Sequence, residues 1–442
     1  MTKHSVYVET YGCQMNVYDT ELVKTILKDA SYTISDSAET ADVVMLNTCS
    51  VRDNANRKVY NRIHKVRQGR PEDKPVKIGI LGCMATNFRQ DLLEDPKLGI
   101  DFIAGPDSYK QLPQLIAQTT EEHRKSFDVT LSEFETYEDV YPTREDGVNA
   151  WIAVMRGCNN YCTFCVVPFT RGRERSRSAQ SIVDETKRLV ANGFSQVTLL
   201  GQNVNSYKYI DGEAVIDFAD LIRMVSDVEG VKRIRYTSPH PKDYPMKLLE
   251  VMAERDNVCN QLHMPLQAGS SRVLRKMNRT YTREEFVDLV TQVRKVIPDI
   301  AITTDIIVGF PTETDDEFEE TYQVMKELEF ESAFMYKYSE RPGTLAARRI
   351  PDDVPEAIKT ERIVRLVALQ QEITMKKNKA HIGQVETLLI EEPSSKKNPD
   401  YAVARNDANI LVLVKKADFK VGDYVQARIE EATPHQLRAV PV

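Results

Sequence analysis

The sequence lacks what a membrane protein or a disulfide-stapled secreted protein needs. Its 442 residues contain no uninterrupted apolar run of membrane-spanning length. They include only seven cysteines, too few for a disulfide framework in a chain of this size. The start, Met1-Thr2-Lys3-His4-Ser5, runs into a strand pattern with neither an apolar stretch nor an Arg-rich leader ahead of it. These absences predict a cytoplasmic protein with free thiols and no membrane partner. Positive charge is not in excess either. The net charge is −7 and the pI is near 5.7, a balance that by itself disfavours nucleic acid. Nothing points to disorder: 41% hydrophobic and 28% charged residues are ordinary for a globular chain long enough for about three domains.

The cysteines are few, but they are grouped. Gly157-Cys158-Asn159-Asn160-Tyr161-Cys162-Thr163-Phe164-Cys165 puts three of them in one short run after the apolar residues 151–155. Structural zinc takes four closed ligands, whereas three thiolates on a four-iron cluster leave one iron open to an exogenous ligand. The plainer readings are buried structural thiols or a zinc site completed by a distant His.

Taken in order, the first part of the chain alternates strand and helix patterns. Strands are expected at residues 6–11, 42–47, 77–82 and 101–105, and helices at 19–30, 55–66, 88–93 and 109–118. That alternation predicts a parallel sheet covered on both faces. Cys13, Cys49 and Cys83 each follow the C-terminal end of one of the first three strands, the edge at which open parallel sheets bind ligands. Three cysteines with no local motif would therefore converge and hold a second iron–sulfur cluster, with coincidence or zinc as the alternatives. Residues 121–147 are acidic and poor in aliphatics, and read as a linker with one short hairpin.

From residue 150 the alternation resumes. Strands are expected at 151–156, 196–200, 233–237, 261–266, 300–307 and 332–338, with helices between them. Six such units make an open, partial (β/α) barrel whose chemistry belongs at the C-terminal mouths of its strands, where the three-cysteine run lies. Cys259 falls on the opposite rim and reads as structural. After Arg341-Pro342-Gly343-Thr344 a long helix spans residues 355–379. Five short strands then fill 383–442, a small OB-like barrel with nearly balanced charge. The expected division is an α/β sheet domain (1–120), the linker (121–147), the barrel core (148–377) and the β-barrel (378–442).

Basic residues also cluster. Nine basic residues stand against three acidic ones between Arg52 and Lys77. A second group is Arg171, Arg173, Arg175 and Arg177, and a third is Arg272, Arg275, Lys276, Arg279 and Arg283. Each alone reads as a solvated face. Three together, one beside the cysteine run, point to a phosphate-bearing substrate.

The C-x3-C-x2-C spacing, with Phe164 before the last cysteine, resembles the radical S-adenosylmethionine enzymes. The order of three-cysteine α/β domain, barrel and small β-barrel resembles their methylthiotransferases, the last unit being similar to a TRAM domain. Thr10-Tyr11-Gly12-Cys13-Gln14-Met15-Asn16 and the run from Val167 to Arg177 resemble the branch that acts on tRNA. The branch acting on a ribosomal-protein aspartate usually has Cys-Pro-Lys-Asn in the first motif, from which Cys13-Gln14-Met15-Asn16 departs.

The resemblance implies a C–H to C–S–CH3 exchange at C2 of an isopentenylated adenosine beside the anticodon. It implies two [4Fe-4S] clusters, one on Cys158, Cys162 and Cys165 and one on Cys13, Cys49 and Cys83. It also implies one S-adenosylmethionine as methyl donor and one as radical source. Gly201, Gln202 and Asn203 stand where the superfamily has Gly-Gly-Glu for the amino group of S-adenosylmethionine. Gly309 and Phe310 resemble the turn that packs on its adenine, and His240 and Gln267 are further contacts. Tyr336 and Tyr338 are candidates to stack on a base. The arginines at 171, 173, 175 and 177 would meet anticodon-stem phosphates. A flavodoxin or ferredoxin would donate electrons, and the protein would act as a monomer. The rivals are a methylthiotransferase for another tRNA adenosine or for a ribosomal-protein aspartate, and a non-catalytic iron–sulfur RNA sensor.

Overall fold

The computed structural model describes residues 4–50, 53–70, 75–144, 147–242 and 244–442, with only the backbone for 53–57 and Gln90. Arg52 and Lys74 of the first basic group, Met1 to Lys3, and Glu145 and Asp146 of the acidic stretch lie outside the described residues.

The first unit runs β1 (Ser5–Tyr11), α1 (Gln14–Asp29), β2 (Thr33–Ile34), β3 (Val43–Thr48), α2 (Asp53–Gln68), β4 (Lys77–Gly82), α3 (Cys83–Phe88), α4 (Gln90–Glu94), β5 (Phe102–Ala104), α5 (Leu112–Thr120) and β6 (Ser126–Asp128). The strands form one parallel sheet in the order β2-β1-β3-β4-β5-β6. Alternate residues of a strand face opposite sides, and both sides are covered. Val43 and Met45 pack with Tyr18, Leu22, Val23 and Leu27 of α1, and Val44 and Leu46 with Val59 and Ile63 of α2. A sheet buried on both faces reads as a near-continuous apolar run, and all six residues of β3 are buried.

The acidic stretch differs from its expectation. Its described residues form no hairpin: its first part is β6, which adds a parallel edge strand beside β5. The segment after it is a strap. Tyr137 is fully buried, donating its hydroxyl to Pro106 O and accepting from Tyr109 N–H.

The second unit contains β7 (Asn149–Ala153), β8 (Met155–Arg156), α6 (Val167–Thr170), β9 (Arg175–Ser176), α7 (Ala179–Ala191), β10 (Gln196–Leu200), β11 (Lys208–Asp211), β12 (Ala214–Asp217), α8 (Phe218–Ser226), β13 (Arg233–Tyr236), α9 (Met246–Glu254), β14 (Gln261–His263), α10 (Ser271–Lys276), α11 (Arg283–Val296), β15 (Ala301–Val308), α12 (Asp315–Leu328), β16 (Ser332–Lys337), α13 (Leu345–Arg349) and α14 (Glu356–Lys379). Its parallel strands lie in the orders β7-β10-β13 and β14-β15-β16. A parallel bridge from Ile234 to Val258 links the two sheets, completing an open half-barrel. Ala150, Ile152, Val197, Leu199, Ile302 and Ile306 pack against the surrounding helices in one core.

Two strand ends differ from the sequence expectation. The fourth stops at His263 because Pro265 cannot donate to the ladder and Gln267 turns with φ +73° before bridging to Ile306. The first is split. Met155–Arg156 leaves the sheet to pair antiparallel with Arg175–Ser176, which folds the arginine-rich run back beside the barrel mouth. The hairpin of β11 and β12 had no counterpart in the sequence reading.

Strands β17 (Val385–Glu392), β18 (Tyr401–Arg405), β19 (Leu411–Lys415), β20 (Tyr424–Ala432) and β21 (Leu437–Pro441) close into a five-stranded barrel. It docks at the N-terminal rim of the half-barrel. Arg233 donates to Arg405 O and Thr387 O, and Arg235 to Asp407 O and Asn406 O. Buried Cys259 sits at this rim with its N–H on Ile234 O, as its structural reading expects. No described helix is long and apolar enough to cross a membrane.

Candidate active site

The loop carrying Cys158, Cys162 and Cys165 begins at Gly157, whose φ is +79°. A Cβ there would lie 1.9 Å from Arg173 O, so no other residue fits. Gly157 N–H donates to Gln202 Oε1 at 2.6 Å, Asn159 N–H to Glu174 Oε1 at 3.1 Å, and Cys158 N–H to Gly172 O at 3.1 Å. From the far side Asn278 donates to Asn160 O and Tyr161 O, and Thr163 N–H bonds Met277 O. The loop is thus held by both halves of the barrel. Burial pushes the Cys158 thiol up to about 11 and Cys165 to about 12. Cys162 accepts a hydrogen bond from buried Arg279 Nη1 at 3.4 Å, an anion-favouring partner for a ligand that must lose its proton on binding metal.

The second triad converges although it is scattered in sequence. Cys13 caps α1, Cys49 follows β3 with its N–H on Tyr11 O, and Cys83 opens α3. Gly12 and Gly82 turn with positive φ to bring these ends together. A Cβ on Gly12 would lie 2.6 Å from Cys49 Cβ, and one on Gly82 would lie 2.7 Å from Thr48 O. A hydrogen bond from Cys49 outweighs desolvation at Cys13 and, with the charge of Arg171, brings its thiol down to about 6. Cys83 is pushed up by burial, with Arg171 and Thr170 opposing. Among the described residues no three His, Cys, Asp or Glu side chains close on a single ion. Helix α3, starting at Cys83, packs against α6, the turn that follows Cys165.

The arginine run is corrected by the structure. Arg171, Arg175 and Arg177 are buried, paired with Asp19 at 2.8 Å, with Asp107 at 2.9 Å and with Glu185. They cannot meet tRNA phosphates, because a buried ion pair is broken only at about 3–5 kcal/mol. Of the four arginines Arg173 alone is exposed. In the third basic group Arg272 pairs with Glu317 and Arg279 is buried on Cys162, while Arg275 and Lys276 are exposed.

The expected cofactor contacts divide. Asn203 Oδ1 and His240 Nε2 are buried with no hydrogen-bond partner. Asn203 Nδ2 is held by Glu174. His240 Nδ1 accepts from Lys242 N–H at 3.1 Å, which puts the ring proton on Nε2. Burial, with the charges of Arg279 and Lys242, lowers the His240 pKa to about 3, so the ring is neutral. One free acceptor and one free donor at the mouth suit the ammonium and carboxylate of an amino-acid ligand. Gln202 is engaged by Gly157, Gly201 packs tightly on Met155, and Gln267 is buried at the end of the fourth strand.

Gly309 and Phe310 are not surface contacts. Gly309 N–H donates to Glu313, and a Cβ there would lie 2.3 Å from Lys359 Cγ. Phe310 is wholly buried, edge-on to Tyr338 at 5.2 Å. Buried Tyr338 is likewise taken up in the core, whereas Phe334 and Tyr336 are exposed on β16. The sequence reading missed Asp19, Arg156, Glu174 and Arg279 as organisers. Asp19 had one signal, a carboxylate on a helix whose neighbours Met15, Tyr18, Leu22 and Val23 are buried.

Comparison with known proteins follows the same division. Residues 5–105 match the uncharacterized protein family UPF0004, 152–325 the radical SAM superfamily, and 379–442 the TRAM domain. A tRNA-2-methylthio-N(6)-dimethylallyladenosine synthase from Porphyromonas gingivalis is 45% identical over 98% of this chain and 94% of its own. Relatives of that name from Bacteroides fragilis and Chlorobium phaeobacteroides are 42% and 43% identical. They cover 99% and 100% of this chain and 95% and 97% of their own. Among solved structures, the radical S-adenosylmethionine methyltransferase TsrM from Kitasatospora setae, with cobalamin and a [4Fe-4S] cluster bound, has a TM-score of 0.58 at 16% identity. It covers 78% of this chain and 77% of its own, a likeness of fold.

Proposed function

Because the chain belongs to the tRNA-2-methylthio-N(6)-dimethylallyladenosine synthase family, we infer that its two cysteine triads serve a single reaction. That reaction replaces the C2 hydrogen of N6-isopentenyladenosine beside the tRNA anticodon with a methylthio group. The chain is a radical S-adenosylmethionine methylthiotransferase, and an iron–sulfur cluster and S-adenosylmethionine are its cofactors. The finer reading is two [4Fe-4S] clusters, one per triad. The observation that supports it is the packing of α3, which Cys83 begins, on α6, which follows Cys165.

A cluster held by the barrel triad would supply the one-electron reduction of S-adenosylmethionine, and one held by the sheet-edge triad would supply the sulfur to be transferred. The protein's residues hold and orient. Cys158, Cys162 and Cys165 bind the first cluster, with Arg279 on Cys162, and Cys13, Cys49 and Cys83 bind the second. Asn203 Oδ1 and His240 Nε2–H would hold the ammonium and the carboxylate of S-adenosylmethionine, with Gln267 as a further contact. The nucleotide is extruded so that its base edge reaches the gap. Exposed Arg173, Arg275 and Lys276 meet backbone phosphates. A flavodoxin or ferredoxin delivers electrons to a monomer.

The test is anaerobic turnover of tRNA bearing isopentenyladenosine with S-adenosylmethionine and a reductant, read by nucleoside analysis. The methylthio nucleoside together with 5′-deoxyadenosine is expected. Formation of 5′-deoxyadenosine with this tRNA unmodified would move the substrate assignment elsewhere.

A further inference from the structure

Arg171 has a buried nitrogen with nothing to bond. The residue is 3% exposed. Its Nη2 donates to Asp19 Oδ2 at 2.8 Å, while Nη1, like Nε and Nη1 of neighbouring Arg156, is buried without a hydrogen-bond partner. Leaving a charged donor unsatisfied costs more than leaving a neutral one, so a fold keeps such a group where something else takes the bond. The surrounding charges point the same way. Asp19 faces both Arg156 and Arg171, and Asp107 faces Arg175. Tyr109 adds only a further donor to Asp19. Three buried guanidiniums thus stand against two carboxylates, a positive surplus that needs an anion.

That surplus lies beside the sheet-edge cysteines. Of the two arginines on Asp19, Arg171 is the one whose charge bears most on both Cys13 and Cys83. It directly follows α6, which packs on the helix that Cys83 begins. We propose that Arg171 Nη1 donates to a sulfur of the cluster held by Cys13, Cys49 and Cys83, with Asp19 as the anchor that aims it. This rests on the two-cluster reading above. Three thiolates leave a four-iron cluster negative, and reduction adds to that charge. A fixed cation hydrogen-bonded to sulfur therefore favours the reduced state and slows cluster loss. The arginines expected to grip tRNA from outside include one that grips the cofactor from inside.

The experiment uses the full chain carrying Cys158→Ala, Cys162→Ala and Cys165→Ala, reconstituted anaerobically so that iron can sit only at the sheet edge. Arg171→Met and Arg156→Met each leave Asp19 one arginine, so the loss of ion pairing is matched, but only the first removes the charge beside the sulfurs. Arg171→Met is expected to lower the cluster's midpoint potential and to speed iron loss to a chelator about tenfold or more. Arg156→Met should stay near the parent in both. Equal changes in the two variants, or none in Arg171→Met, would overturn the assignment. If Arg171→Met does not fold, Arg171→Lys keeps the charge without the two-pronged geometry. It should hold most of the potential yet lose iron faster, and parental iron retention would count against the hydrogen bond. Absence of iron in the parent would sink the two-cluster reading and the arginine assignment with it. Iron present but insensitive to Arg171 would sink only the latter.

Discussion

Gly157 positions the first barrel cysteine by having no side chain. With φ at +79° and a Cβ that would overlap Arg173 O, Gly157→Ala combines backbone strain with a main-chain clash. We expect a loss of at least about 3 kcal/mol and a sharp fall in iron bound at the barrel loop, measured by thermal unfolding and iron analysis. His240 makes a separate prediction. Its pKa is lowered to about 3 from an unfolded value near 6.5, so the unfolded chain binds the extra proton first. The stability that neutral His240 contributes is complete above about pH 6.5 and is lost as pH falls towards 3. Between pH 7 and pH 5 the parent should lose about 2 kcal/mol that His240→Gln does not, read from urea midpoints at the two pH values. The convergence of Cys13, Cys49 and Cys83 was legible because each follows the C-terminal end of a parallel strand. Arg171, Arg175 and Arg177 were misread because a charge run carries no mark of what faces it. Their partners Asp19, Asp107 and Glu185 come from elsewhere in the sequence.

Helix and strand placement was legible wherever local chemistry decides it. Thr314 caps α12 with Glu317 answering across the first turn, and Thr282 does the same for α11 with Glu285. Thr314→Ala removes an acceptor for Glu317 N–H and should cost about 1 kcal/mol, seen as a lower melting temperature with iron content unchanged. A change in iron content would mean that this end of the barrel reaches the cluster loop. What sequence could not give is where an element goes when its own pattern is weak. Ser126–Asp128 is three residues of an acidic stretch, yet it pairs because β5 offers an open edge. Phe310 sits in a turn that resembles an adenine contact, but its ring fills the core against Tyr338. A motif specifies the turn and not the direction of every side chain on it.

At the scale of the molecule, alternation of strand and helix was enough to give a parallel sheet, an open half-barrel and a small closed barrel in that order. The contacts between them rest on long-range pairs. Arg233 and Arg235 reach into the last barrel's loops, and Asp19 ties the first helix to the barrel's arginines. Those pairs hold the units together, and the central claim is that the two cysteine triads serve one reaction. It is tested most directly by counting iron in the parent and in Cys13→Ala/Cys49→Ala/Cys83→Ala after anaerobic reconstitution, while assaying isopentenylated tRNA. About eight irons should fall to about four, with 5′-deoxyadenosine still formed and the methylthio nucleoside lost. Equal iron in the two proteins would contradict it, leaving the sheet-edge cysteines as structural thiols and the barrel cluster alone.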